Sequence, residues 1–171
     1  MNRAPLLLSE TWTTERPGGW WLSEKLDGVR VWWDGHTLWT REGFRLNPPA
    51  WFVSGLPASP LDAELWAGRG KYLEVLGLIN SRDGRPWDGF QLAIIDLPAH
   101  PGTFEERHAA ARGLLLPPHA FVIAQRICSG LRDLRRTLRE MWDCGAEGLM
   151  LRAPGSLYVS KRSRTLLKVR C

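Results

Sequence analysis

The stretch Ser23-Glu24-Lys25-Leu26-Asp27-Gly28-Val29-Arg30 decides how the chain is read. Trp20, Trp21 and Leu22 lead into it, and Val31, Trp32 and Trp33 follow. Apolar flanks of strand length predict two strands, with Lys25 to Gly28 as a short loop joining them at a pocket edge. A lysine placed there, with Arg30 close behind, is a candidate nucleophile once its amine is neutral. In isolation the same eight residues also suit a solvated hairpin end of mixed charge, so the surrounding chain has to choose.

On the N-terminal side, residues 5 to 19 read as a leader that turns at Arg16-Pro17-Gly18-Gly19. On the other side, Asp34-Gly35 is a hairpin signal and Thr37 to Arg41 the returning strand. Asn47-Pro48-Pro49 makes a break, and a short helix is predicted over Ala50 to Ser54. Leu61 to Trp66 reads as a strand with Asp62 and Glu64 on one face and Leu61, Ala63 and Leu65 on the other. Two acids so placed either face solvent or hold a ribose or a metal. Lys71 to Asn80 suits a helix with Tyr72, Val75, Leu76 and Ile79 as its apolar face. Ser81 to Gly89 reads as loop, and Phe90 to Leu97 as a buried strand. Thr103 and Glu106 form a capping box that opens a helix to about Leu115. Ala120 to Gln125 is a further strand. Ser129 is the expected cap of a helix reaching Cys144, with Leu131, Leu134, Leu138 and Met141 or Trp142 as its buried stripe and Gly145 as its stop. Arg132, Arg135, Arg136 and Arg139 fall on its exposed side. Strands over Gly148 to Arg152 and Leu166 to Arg170 complete the chain. Without a repeat or a regular βαβ rhythm, the pattern predicts an α+β fold with largely antiparallel sheets and flanking helices.

A length of 171 residues suits a single domain. The net charge of +5 is unevenly placed: Arg126 to Arg170 holds eleven basic residues against four acidic ones, whereas the first 125 residues are slightly acidic. Such asymmetry points to a binding face for a phosphate-rich partner, or to solubility charge on helix surfaces. Most of the ten tryptophans are expected to pack, and some to stack on nucleobases. Cys128, Cys144 and Cys171 form neither a zinc motif nor a disulfide framework, and the four histidines show no metal-ligand spacing. No stretch approaches the roughly 20 apolar residues that span a bilayer, and the apolar run at the N-terminus is too short for a signal peptide. The expectation is a cytoplasmic protein with no membrane partner, a periplasmic location being left open.

Four charged clusters stand on strands or strand ends: Lys25/Asp27/Arg30, Asp62/Glu64, Glu147 with Arg152, and Lys168/Arg170. Nucleotidyl transfer needs this mixture, because a nucleophilic lysine, phosphate-neutralising cations and a magnesium-holding carboxylate must meet. The ordered segments Lys25-Leu-Asp27-Gly28-Val-Arg30, Leu61-Asp62-Ala-Glu64-Leu65, Glu147-Gly148-Leu-Met-Leu-Arg152 and Leu166-Leu-Lys168-Val-Arg170 resemble those of the covalent nucleotidyltransferases. Leu65-Trp66-Ala67-Gly68-Arg69-Gly70, Asp96-Leu97-Pro98 and the run from Arg152 through Tyr158 to Lys168 bring the chain nearest to the adenylation domain of the minimal bacterial ATP-dependent DNA ligases. Each motif alone is weak. Together, in order, they cover the chain from about Leu6 to Arg170.

That resemblance implies an ATP-grasp-like nucleotidyltransferase domain, with ATP and Mg2+ as cofactors and nicked double-stranded DNA as substrate, acting in DNA repair, replication or recombination. It implies that Lys25 attacks the α-phosphate of ATP to form lysyl-AMP, and that Lys168 and Arg170 neutralise that phosphate. It places Arg30 and Glu64 at the ribose and neighbouring phosphates, Glu24 and Ile95 in the nucleotide site, Glu147 at the metal, and Arg41 and Arg152 on the nucleic acid. Three positions depart from the family pattern. Ile95 stands where the family has an aromatic residue against adenine, Arg170 stands where it has a second lysine, and the sequence stops at Cys171 where the family continues into an OB-fold. The expectation is a monomer without that OB-fold, which is absent or supplied in trans. An RNA ligase, a capping-type guanylyltransferase and a degenerate module that binds nucleotide or DNA without turnover are the alternatives.

Overall fold

The computed structural model describes residues 3–81 and 86–170. Ten strands make two sheets. β1 (Leu8–Thr11), β2 (Trp21–Lys25), β8 (Arg126–Ile127), β9 (Gly148–Arg152) and β10 (Arg162–Arg170) form one, in the order β1-β10-β9-β2-β8. β3 (Val29–Trp33), β4 (Leu38–Thr40), β5 (Leu61–Trp66), β6 (Gln91–Asp96) and β7 (Ala120–Val122) form the other, in the order β4-β3-β5-β6-β7. Pairing is antiparallel except for β1 with β10 and β6 with β7. The helices are α1 (Ala50–Val53), α2 (Tyr72–Ile79), α3 (Phe104–Arg112) and α4 (Leu131–Asp143). The α+β class with largely antiparallel sheets is what the patterning predicts.

Each sheet has its own core because alternate side chains go to opposite faces. Val31, Trp33, Leu61, Ala63, Leu65, Leu92 and Ile94 leave one face of the second sheet and are covered by Phe52 of α1 and by Val75 and Leu78 of α2. Leu22, Leu149, Leu151, Leu167 and Val169 leave the first sheet on its outer side and meet Leu134 of α4. The other faces of the two sheets look at each other across a cleft. The loop from Leu26 to Gly28 therefore joins strands of different sheets and carries the chain over the end of that cleft. Gly28 is required at this crossing, because a Cβ there would stand 2.3 Å from the carbonyl oxygen of Leu65 and 2.9 Å from Cγ of Glu64.

Several local expectations are corrected. The leader contains β1, whose residues run parallel to β10 and satisfy its edge. α3 carries the full capping box but ends at Arg112, at Gly113. The strand expected over Ala120 to Gln125 ends at Val122 as β7, and the chain then changes sheets and forms β8 beyond the expected span. Gly130, not Ser129, caps α4; the Ser129 amide instead donates to Asp133 at 3.0 Å. Leu131 and Trp142 are 40% and 61% exposed, because the buried face of α4 is completed by Asp133 and Thr137, which are tied to Arg126. Tyr72 is likewise exposed at the start of α2, where Leu78 takes the expected core position. Part of the predicted Ser81 to Gly89 loop, residues 82–85, lies outside the described residues. Among the described residues, no helix is long and apolar enough to cross a membrane.

Candidate nucleotidyl-transfer site

The cleft between the sheets has a volume of about 560 Å³. Lys25, Lys168, Arg170, Glu24, Arg30, Glu64, Ile95, Glu147, Arg41 and Arg152 all line it. Strand register explains the convergence. Lys25 of β2 and Arg170 of β10 both pair with Gly148 of β9, so one row across the sheet reads cation, bare backbone, cation. Gly148 has φ +153° and a Cβ there would meet the Val169 carbonyl oxygen at 2.2 Å, so the gap between the two cations is built in. The next row on the same face is Ser23, Met150 and Lys168, and Arg152 follows one row further. Two-residue alternation thus puts four of the expected residues, Lys25, Arg170, Lys168 and Arg152, on one surface.

Glu147, the residue before β9, reaches over this row: its Oε2 is ion-paired with Lys25 Nζ, and its Oε1 lies 4.0 Å from Arg170 Nε. Arg30, expected to crowd Lys25 with positive charge, turns instead to Asp62, to which it donates from Nε at 2.5 Å and from a terminal nitrogen at 2.7 Å. Tyr158 donates to the same carboxylate at 2.8 Å. Asp62 is therefore a fully buried anchor for Arg30, and the reading that it faces solvent is ruled out by its burial. Glu64 stands beside Arg30 with no hydrogen-bond partner among the described residues, and burial pushes its carboxyl up to about 7 against the pull of Arg30 and Lys25. Lys168 is lowered from its ordinary range by desolvation and then by Arg170, Arg162 and Lys25, the mark of a concentrated positive field.

Two expected ligand contacts have other partners. The Glu24 carboxylate receives a two-pronged grip from Arg69 at 2.8 and 2.9 Å, and Arg69 also donates to the Cys144 carbonyl, so Glu24 ties the end of β2 to α4. Arg152 is 3% exposed, which removes it from the outer surface where a DNA backbone would run. It lies over the Phe104 ring and 3.2 Å from Asp96, whose carboxylate is also clamped by the fully buried Arg107. Arg41 is exposed at the cleft mouth and pairs with Glu42. Arg162, Ile123, Gln125 and Met150 line the cleft without having been singled out in the sequence. The signal for Met150 was its two-residue offset from Gly148, and for Arg162 the basic run from Lys161 to Arg164.

The helix arginines are placed differently. α4 packs on the outer side of the first sheet, so Arg132, Arg135, Arg136 and Arg139 are exposed but separated from the cleft by that sheet. Among the described residues, no three His, Cys, Asp or Glu side chains gather as a metal cage. A site of one or two carboxylates, Glu147 with Glu64 nearby, fits Mg2+ held largely by substrate phosphates and water.

A DNA ligase of Haemophilus influenzae (strain ATCC 51907 / DSM 11121 / KW20 / Rd) is 34% identical over 168 residues, which is 96% of this chain and 63% of that protein. A solved structure from a structure-function study of Lig E DNA ligases superposes with a TM-score of 0.90 at 31% identity, over 97% of this chain and 68% of that one. The chain belongs to the DNA ligase family. A Chlorella virus DNA ligase-adenylate shares the ligase fold at a TM-score of 0.82 and 15% identity, over 99% of this chain and 69% of its own. No protein-family model matches the chain. The chain spans 63% of the length of the Haemophilus ligase. Within the ligase fold, the lysine-bearing crossing between the sheets and the row through Gly148 are where the charged residues of the cleft concentrate.

Proposed function

We propose that the chain is the adenylation domain of an ATP-dependent DNA ligase. The observation that carries this reading is the row Lys25–Gly148–Arg170, with Lys168 beside it and Glu147 across it, at the end of a cleft deep enough for a nucleotide. The Lys25 amine attacks the α-phosphate of ATP. A P–N bond forms, the bond to the β-phosphate oxygen breaks and pyrophosphate leaves. Before attack the Lys25–Glu147 pair parts and the ammonium passes its proton to solvent water, leaving a neutral amine. Lys168 and Arg170 face the gap over Gly148 and stabilise the charge that builds on the phosphate, the preorganised kind of help that contributes most to many rate enhancements. Arg30, held in line by Asp62 and Tyr158, and Glu64 meet the ribose. Ile95 packs on the base. Glu147 would hold Mg2+ together with the phosphates, and the ion would supply charge neutralisation.

In the later steps AMP passes to a DNA 5′-phosphate, and the neighbouring 3′-hydroxyl displaces it to seal the nick. Arg41, at the cleft mouth, is the residue we assign to the 5′-phosphate. Arg152, being buried, belongs in this reading to the cleft floor and not to the DNA contact. A monomer acting on nicked duplex completes the proposal. The free thiols of Cys128 and Cys144 support a reducing, cytoplasmic setting.

Intact-mass spectrometry after incubation with ATP, Mg2+ and pyrophosphatase tests the first step. A gain of one AMP that disappears in Lys25→Ala is the expected outcome; a gain that persists in the variant overturns Lys25 as nucleophile. Sealing of pre-adenylylated nicked DNA tests the last step without ATP, and competition by GTP or RNA-containing nicks separates the capping and RNA-ligase readings.

A further inference from the structure

We infer that Gln125 reads the nucleobase in the cleft by accepting a hydrogen bond from an exocyclic amine of the adenine type; the inference rests on the nucleotide reading above. The chain passes between the sheets a second time after β7, and Gln125 lies on this crossing. The Ile123 amide still donates to Ile94 in the second sheet, whereas Arg126 already pairs with Leu22 in the first. Gln125 is therefore set beside Ser23, two residues before Lys25, on the floor of the cleft. Its apolar company there is Ile95, Ile123 and Met150.

The Gln125 Oε1 atom is buried and has no hydrogen-bond partner among the described residues. Leaving a buried acceptor unpaired is costly, so the site is built to receive a donor. Gln125 also borders a second cavity, and the nearby Trp66 Nε1 on that wall is equally without a partner, so the indole N–H does not satisfy it. The polarity of the cleft fixes which part of a ligand arrives. Lys25, Lys168 and Arg170 concentrate positive charge at the end where phosphates sit, which leaves the apolar side chains near Gln125 for the base. A carboxamide can accept from the adenine amine while its NH2 donates to a ring nitrogen, the complementarity that makes Gln and Asn good adenine readers. Guanine sets a carbonyl oxygen where adenine has its amine, opposing acceptor to acceptor.

The test measures equilibrium binding of the full chain to ATP and to purine-riboside 5′-triphosphate, which lacks only the exocyclic amine, with AMP-adduct formation followed in parallel. The wild type is expected to prefer ATP by about tenfold, the effect of one buried hydrogen bond. Gln125→Met, which keeps the volume and removes the polar atoms, is expected to bind both ligands alike. Gln125→Glu, which keeps an acceptor, is expected to retain the preference. A wild type that binds both equally, or a Gln125→Met variant that still prefers ATP, overturns the role of Gln125 and leaves the nucleotide reading standing. A wild type that binds neither ligand overturns the nucleotide reading, and this inference with it.

Discussion

Glu64 shows how one side chain carries a conflict that a fold can put to use. It sits on a strand whose alternate residues are core, so the register that buries Leu65 and Ala63 also holds its carboxylate between the sheets beside Arg30. Its affinity for a proton is raised from an ordinary value of 4.5 to about 7, with burial the main cause. Between those two values the folded chain keeps a proton that the unfolded chain has released, so stability falls as pH rises through this window and levels off above it. The full shift corresponds to at most about 3 kcal/mol. Thermal melts from pH 4.5 to 8 are expected to show that decline in the wild type and a flatter profile in Glu64→Gln; parallel profiles would remove Glu64 as the cause. Asp96 represents the opposite case, a carboxylate shared by two buried arginines. Asp96→Ala leaves both cations without their partner and is expected to destabilise the fold by on the order of 3–5 kcal/mol, read as a drop in the urea midpoint.

At the scale of elements, the crossing from β2 to β3 matters because it gives Lys25 its position without anchoring it by a large side chain. Gly28→Ala would force the crossing away from Leu65 and Glu64. The expected result is a large loss of AMP adduct with a modest change in melting temperature; an unchanged adduct would show that the crossing has slack. The strands of the site were legible in the sequence because their signals are local: β2, β3, β5, β6 and β9 each show an apolar alternation or an apolar run of the right length. What alternation cannot convey is which strands share a sheet. Lys25 to Gly28 read as a plain loop between two strands, and its passage from one sheet to the other became visible only through partners more than a hundred residues away, Gly148 above all. β1 was hidden for the same reason: Leu8 to Thr11 is polar at its centre and becomes a strand by pairing with β10. The convergence of the charged motifs was legible as an order of residues, while the pairing of Arg30 with Asp62 and of Glu24 with Arg69 depends on geometry that spacing does not encode.

At the scale of the whole molecule, two groups of basic residues lie on opposite sides of the first sheet. Arg41, Arg162, Lys168 and Arg170 line the cleft, whereas the arginines of α4 look outward on the far side. If the cleft mouth is where a nicked duplex lies, replacing Arg41 and Arg162 together by Ala should reduce the slope of log affinity against log salt by about 2, near one for each phosphate that is no longer neutralised. Replacing Arg132 and Arg135 should leave that slope unchanged; the reverse pattern would move the DNA to α4. The two sheets also differ in how their strands are drawn from the chain. Strands β3 to β7 are consecutive, so the sheet that presents Arg30 and Glu64 can assemble from one continuous run. The sheet that presents Lys25 places β2 beside β9, and β9 beside β10. During synthesis Lys25 is therefore made early and waits unpaired while more than a hundred further residues emerge, and the sheet around it is completed when β9 and β10 pair. A nascent chain carries Lys25 long before the cleft around it can close.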